Sequence, residues 1–299
     1  HNDALRARRA GAQGVGLYRS EFPFIIRNEF LSQEQQYRLY QQIVAAFPED
    51  EVTLRTADIG GDKLMAGQEA EERNPFLGVR GIRFSLAYRD EFRSQIKAML
   101  RAGADRELRI MFPMVASVEE VIEGRELVEQ ARLELEEAGI PHCTSLKVGA
   151  MVELPSAVIS IRELVEQTDF LSIGTNDLIM YMLAVDRTNE RLNELYRSHH
   201  PTILRTIEMI VEGVGDKLED LSVCGESAGD PLMVPFFLGL GIRKLSLSPS
   251  QIAPVRALVH RLTLEGCEQI TRELLGIERI SEMDRYLREL RESLELGGA

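Results

Sequence analysis

Seven short runs rich in apolar and β-branched residues recur along the 299-residue chain, at 15–19, 52–55, 108–112, 146–152, 170–173, 221–224 and 244–247. Several are near-continuous in apolar residues, the pattern of parallel strands buried on both faces. Longer segments with helical spacing separate them. Ser117 and Glu120 form a capping box ahead of one such segment, in which Val121, Val128 and Leu135 share a face. Gly139 and Pro141 end it. Pro201 opens another, with Ile203, Ile207 and Ile210 on one side. The sequence after Ser250 reads as helical and charged, and its last stretch, MDRYLRELRESLEL, is amphipathic. The stretch 61–73, GDKLMAGQEAEER, is polar and reads as a mobile loop.

Strand–helix alternation over this length predicts an α/β fold of the (β/α)8 TIM-barrel type, with 1–299 as one domain. Seven strand signals fall one short of eight. The sequence reads as helical from residue 2 onward, so the expectation is a C-terminal fragment whose first strand lies upstream.

Composition narrows the function classes. The chain is 44% hydrophobic and 28% charged, which suits a globular protein with a substantial core. A net charge of −13 argues against a broad nucleic-acid face, which needs concentrated Lys and Arg. A few local arginines still suffice for a small anion. No apolar run approaches the roughly 20 residues that span a bilayer, and no signal-peptide core is present. Cys143, Cys224 and Cys267 form neither a C-x-x-C pair nor a zinc spacing, so reduced thiols and a cytoplasmic location are expected.

In a barrel of this kind chemistry gathers where strands end. Those positions carry Arg19, Arg55, Glu153, Asn176, Asp177, Cys224 and Glu226. Arg19 has a simple alternative role, a surface pair with Glu21. Arg55 precedes Asp58 and a Gly-Gly turn, and Arg80 stands in NPFLGVRGIR. Three such arginines suit a ligand carrying phosphate and carboxylate, because guanidinium forks bind these oxygens in pairs. Glu153 and Asp177 could form an acid/base pair or ligate a hard cation; Mg²⁺ takes one or two carboxylates plus substrate oxygens. Asp177 also fits a helix cap. Cys143 and Cys267 read as small core residues, whereas Cys224, followed by Gly225 and Glu226, reads as a neutral thiol able to donate a proton. The pair His199-His200 before Pro201 reads as a helix-start turn. The segment MVPFFLGLG offers apolar content for an exposed dimer surface.

The motifs GVGLYRSEF, RTADIGGDK, NPFLGVRGIR, MFPMV, GAMVELPSA, SIGTNDL, LAVDR and CGESAGD occur in this order. Together they resemble the phosphoenolpyruvate-utilising enzymes, and within them the C-terminal, phosphoenolpyruvate-binding barrel domain of the Enzyme I group of the bacterial phosphotransferase system. SEFPF leans towards its nitrogen-related branch. The resemblance implies that Arg19, Arg55 and Arg187 contact phosphoenolpyruvate with Arg80 nearby, joined by Asn176 and the backbone of Asp177. It implies that Glu153 and Asp177 hold Mg²⁺ and that Cys224 protonates the pyruvate enolate. It further implies a homodimer, a phosphoryl-accepting histidine on a separate N-terminal domain, and a downstream phosphocarrier protein, as in sugar transport. A pyruvate phosphate dikinase or phosphoenolpyruvate synthase is the alternative within the same family, and a non-catalytic phosphoenolpyruvate sensor is a third reading. Ser20 stands where the family usually has Thr, and Ile179-Met180 where it usually has Thr-Gln.

Overall fold

A computed structural model of the chain describes residues 2–60 and 74–296. The expected loop at 61–73 therefore lies outside the described residues. All seven apolar runs are strands: β1 (Gly14–Arg19), β2 (Glu51–Arg55), β3 (Glu107–Phe112), β4 (Ser145–Val152), β5 (Phe170–Gly174), β6 (Leu221–Cys224) and β7 (Lys244–Leu245). They follow one another in chain order in the sheet, with parallel pairing recorded for β1–β2, β2–β3, β3–β4 and β6–β7. This is the α/β fold of the TIM-barrel type, with seven strands among the described residues.

The chain forms two compact units, one comprising 1–152 and 163–171, the other 153–162 and 172–299. The boundary runs through β5 itself. In the first unit, the side chains of β2, β3 and β4 are buried almost throughout, as their apolar runs require. Helix Gln33–Ala46 opens with a capping box made by Ser32 and Gln35, and helix Val118–Glu137 with the one expected at Ser117 and Glu120. Val121, Val128 and Leu135 are buried on one face of the latter. The β1–β2 ladder has an irregularity between Val15 and Tyr18, after which Arg19 is in register with Arg55. In a parallel ladder, residues in register point to the same face, so this slip sets two guanidiniums side by side at the strand ends.

In the second unit, helix Pro201–Val214 buries Ile203, Ile207 and Ile210 as expected. One expectation needs correction. The segment MVPFFLGLG is not an exposed surface: Met233, Val234, Phe236 and Phe237 are fully buried in and beside helix Val234–Gly239. Its apolar residues face its own fold, and helix Val234–Gly239 packs on helix Leu264–Gly276. The tail is helical as expected, in three helices, Pro249–Val259, Leu264–Gly276 and Ile280–Leu296. The second is restarted by Thr263, whose hydroxyl accepts from Gly266 N at 3.1 Å. Strand β7 is shorter than its apolar run, because Ser248 and Pro249 begin the next helix almost at once. Cys143 and Cys267 are buried, free thiols, as read from the sequence.

Candidate active site

The first unit contributes a chain of alternating charges. Arg19 Nε donates to Glu21 Oε1 at 2.9 Å, and Arg55 donates to the same oxygen at 2.7 Å. Arg55 also reaches Asp58 Oδ2 at 3.3 Å, and Arg80 grips both oxygens of Asp58 at 3.0 and 3.1 Å. The pairing of Arg19 with Glu21 is thus real, but it is not an isolated surface pair. Glu21 is 0% exposed and is shared with Arg55, itself 3% exposed. Arg19 keeps 41% of its side chain in solvent, with its guanidinium 4.6 Å from the Phe22 ring centre.

The local sequence explains how Arg80 arrives. Gly60 adopts φ +109°, and a Cβ there would fall 2.2 Å from Val79 O and 2.9 Å from Arg80 Cα. Only glycine lets the segment that follows β2 run this close to the backbone that carries Arg80. The bond from Gly81 N to Ile59 O at 3.1 Å fastens the two segments. Buried charges are costly unless paired and hydrogen-bonded. Three guanidiniums here meet at least two carboxylates, and guanidinium forks are the side chains best suited to bind phosphate or carboxylate oxygens in pairs.

The second unit gathers the remaining candidates. Glu153 follows β4 and is 1% exposed. Asp177 is buried in the first turn of helix Thr175–Leu183, three residues past the N-cap, which is Gly174. The capping position expected for Asp177 is therefore occupied by glycine, while a carboxylate in the first turn is favoured by the helix dipole. The donor set of two buried carboxylates suits a hard divalent cation completing its shell with water and substrate oxygens. No group of three or more metal-ligating side chains occurs among the described residues.

Asn176 is held from two sides. Its Oδ1 accepts from Glu226 N at 2.9 Å, and its backbone oxygen accepts from the Tyr196 hydroxyl at 3.0 Å. Beside it, Thr175 Oγ1 donates to Cys224 O at 2.9 Å. These two bonds lace the end of β5 to the end of β6. Gly225 makes the approach possible: at φ +93°, a Cβ there would fall 2.3 Å from Thr175 Oγ1. Cys224 is 2% exposed; its thiol donates to Ile173 O at 3.4 Å and accepts from Ser172 Oγ at 3.5 Å. Helix Thr175–Leu183 ends in a left-handed Ala184, and Thr188 then folds onto Asp186 through its N–H and hydroxyl at 2.8 and 2.7 Å. These bonds hold the Asp186 carboxyl below its usual range and fix the turn that carries Arg187.

The structure thus brings Arg19, Arg55 and Arg80 together in one unit and ties Asn176 to the Cys224–Glu226 turn in the other. Sequence reasoning missed Glu21 as a hub, Thr175 and Tyr196. Glu21 and Thr175 stand inside the motifs GVGLYRSEF and SIGTNDL, whereas Tyr196 lies outside every motif; only the structure shows what they hold. The departures from the family pattern are benign in their settings. Ile179 and Met180 are buried, and Ser20 Oγ accepts from Gln95 at 3.1 Å within a buried polar network.

The family described as PEP-utilising enzyme, PEP-binding domain, matches residues 1–264. The chain is 39% identical to the phosphoenolpyruvate-protein phosphotransferase of Listeria monocytogenes over 274 residues, covering 91% of this chain and 48% of that protein. It is 38% identical to the Bacillus subtilis protein of the same name, covering 93% and 49%. It is 39% identical to a phosphoenolpyruvate-dependent phosphotransferase system protein of Escherichia coli, covering 100% and 40%. The chain therefore spans about half the length, or less, of these curated relatives. An HpcH/Hpal aldolase/citrate lyase family protein from Burkholderia cenocepacia shares the fold with TM-score 0.50 at 14% identity, over 86% of this chain and 88% of that one. With the family pattern running through most of its length, this chain belongs to the PEP-utilising enzymes and carries their PEP-binding domain.

Proposed function

We propose that this chain is the phosphoenolpyruvate-binding catalytic part of a phosphoenolpyruvate-protein phosphotransferase, and that 1–299 acts as one functional domain. The phosphoryl group passes to a histidine on a separate N-terminal domain and then to a phosphocarrier protein, with release of pyruvate. The observation that carries this reading is the buried cluster of Arg55 and Arg80 on Glu21 and Asp58, with Arg19 reaching solvent.

Phosphoryl transfer asks a protein for positioning and charge neutralisation. Arg19, Arg55 and Arg80 supply fixed positive charge for the phosphoryl and carboxylate oxygens. Asn176, the backbone of Asp177 and Arg187 supply further donors. Glu153 and Asp177 would hold Mg²⁺, which when bound neutralises phosphoryl oxygens and the developing enolate. As the bridging P–O bond breaks, the phosphoryl group goes to the acceptor histidine and the electron pair stays on the enolate oxygen. Cys224 then gives its thiol proton to C3, forming the methyl group of pyruvate, and is reprotonated from solvent.

No helix among the described residues is long and apolar enough to cross a membrane, and a cytoplasmic homodimer is part of the proposal. Calorimetric titration of this chain with phosphoenolpyruvate, with and without Mg²⁺, is the test. Mg²⁺-dependent binding is expected, from a sample that light scattering reports as a dimer. A folded chain that binds no phosphoenolpyruvate overturns the reading, and a monomer overturns the dimer.

A further inference from the structure

Tyr196 stands 20 residues after Asn176, outside every motif that marks the family resemblance. Its ring lies half-buried, and its hydroxyl donates to the backbone oxygen of Asn176 at 3.0 Å. The other end of the same residue is held by Glu226 N on Oδ1 at 2.9 Å. Asn176 is thereby pinned at its peptide and at its amide at once. With Oδ1 occupied, the Asn176 side-chain N–H₂ is the half of the amide turned to other partners. We infer that Tyr196 is a positioning residue for substrate binding, fixing the peptide of Asn176 so that the side-chain amide is presented in one orientation.

Three observations support this role. First, the Tyr196 ring borders open space. It lines a cavity of about 220 Å³ together with Arg197, His199, Met283, Asp284 and Leu287, so part of its surroundings is open. The directional bond to Asn176 O supplies what close packing does not. Second, Tyr196 lies within electrostatic reach of three groups at the candidate site. Burial pushes its phenol up to about 12, with Arg187 pulling it down and Glu226 and Asp177 adding to the rise. The hydroxyl therefore stays protonated, and stays a donor, at any physiological pH. Third, the bonded carbonyl lies in the first turn of helix Thr175–Leu183, the turn that also contains Asp177. A shift of this peptide would move both the amide of Asn176 and the adjacent Asp177 N–H.

The inference rests on the proposed phosphoenolpyruvate site for its consequence, but not for its geometry, and the experiment separates the two. Tyr196→Phe keeps the ring and removes only the hydroxyl. Without ligand, hydrogen exchange followed by NMR should show the Glu226 N–H exchanging about three- to tenfold faster, as expected for losing one hydrogen bond's worth of local order. The amides of β6 and of the last turn of helix Thr175–Leu183 should keep their protection. In calorimetry with Mg²⁺, Tyr196→Phe should weaken phosphoenolpyruvate binding about tenfold. On an Asn176→Ala background the same change should cost clearly less than about tenfold, because the positioned amide is gone and only the Asp177 N–H remains to be displaced. Unchanged exchange at Glu226, uniform loss of protection across the helix, or full additivity with Asn176→Ala overturns the inference. If wild type binds no phosphoenolpyruvate but the exchange effect is present, the substrate reading fails and the positioning of Asn176 by Tyr196 stands.

Discussion

Arg19 and Arg55 are in register, share one carboxylate oxygen, and nevertheless call for different experiments. Arg55 is buried between Glu21 and Asp58. Removing it takes one guanidinium from each of two buried carboxylates, while Arg19 stays on Glu21 and Arg80 on Asp58. The expected cost is at or below the ~3–5 kcal/mol typical of a fully broken buried pair. Arg55→Ala should therefore lower the denaturant midpoint markedly, and its loss of binding would be hard to assign. Arg19 is half in solvent, and Glu21 keeps Arg55 when Arg19 is gone. Arg19→Ala should leave the midpoint nearly unchanged while weakening phosphoenolpyruvate binding at least tenfold by calorimetry. Equal affinity would remove Arg19 from the site. Cys224 calls for the opposite pattern. Its thiol makes long contacts with Ile173 O at 3.4 Å and Ser172 Oγ at 3.5 Å. Cys224→Ala should bind phosphoenolpyruvate almost as wild type but lose exchange of pyruvate methyl protons with deuterated solvent, by about 10²-fold or more as for other general acids. Equal exchange rates in the two proteins would move the acid role elsewhere, with Glu226 the nearest candidate in sequence.

At the scale of elements, much was legible because parallel strands buried on both faces leave plain apolar runs. All seven were found within a residue or two, and so was the capping box at Ser117 and Glu120. The polar residues at strand ends were legible for the same reason, since charge is conspicuous beside such runs. What escaped was set by tertiary partners. MVPFFLGLG is apolar whether it faces a neighbour or its own core, so sequence could not separate the two. The breaks in the tail rest on short polar links, including Thr263, that do not interrupt helical spacing enough to announce themselves. Tyr196 acts through one hydroxyl on a backbone oxygen, a bond with no sequence signature at all. The lacing of β5 to β6 is testable at its tightest point. Gly225→Ala places a methyl against the Thr175 hydroxyl and demands a left-handed backbone. A cost of about 1–3 kcal/mol is expected from denaturant unfolding, with unchanged stability contradicting the close approach.

For the whole molecule, acid should be felt first where a histidine is buried neutral. Burial holds the His199 imidazole below its ordinary value, with Arg291 pushing the same way and Asp230 and Asp284 opposing. Its Nε2 lies 3.2 Å from Asp230 Oδ2, and its Nδ1 lies 3.1 Å from Ser198 Oγ. A base whose folded value is depressed binds more protons when unfolded. Its contribution is complete above the ordinary histidine range and is lost as pH falls from about 6.5 towards the folded value. Thermal midpoints measured from pH 7.5 to 5.5 should therefore fall faster for wild type than for His199→Gln. Parallel curves would mean that His199 is not the sensor.

The shared carboxylate of Glu21 has a consequence for variation. Two arginines from two strands end on one oxygen, and the second of them continues through Asp58 to Arg80. The buried positions 21, 55, 58 and 80 are therefore coupled, with position 19 joined to them at their solvent edge. A change at Glu21 alters the worth of every guanidinium downstream, so single substitutions will look worse than the sum of their parts would suggest, and some pairs will look better. Grafting GVGLYRSEF without RTADIGGDK would import the buried Glu21 with half-exposed Arg19 but without its buried partner Arg55. The heritable unit is the whole five-residue ladder, and a library that mutates its members jointly will find tolerated sequences that a one-position scan cannot reach.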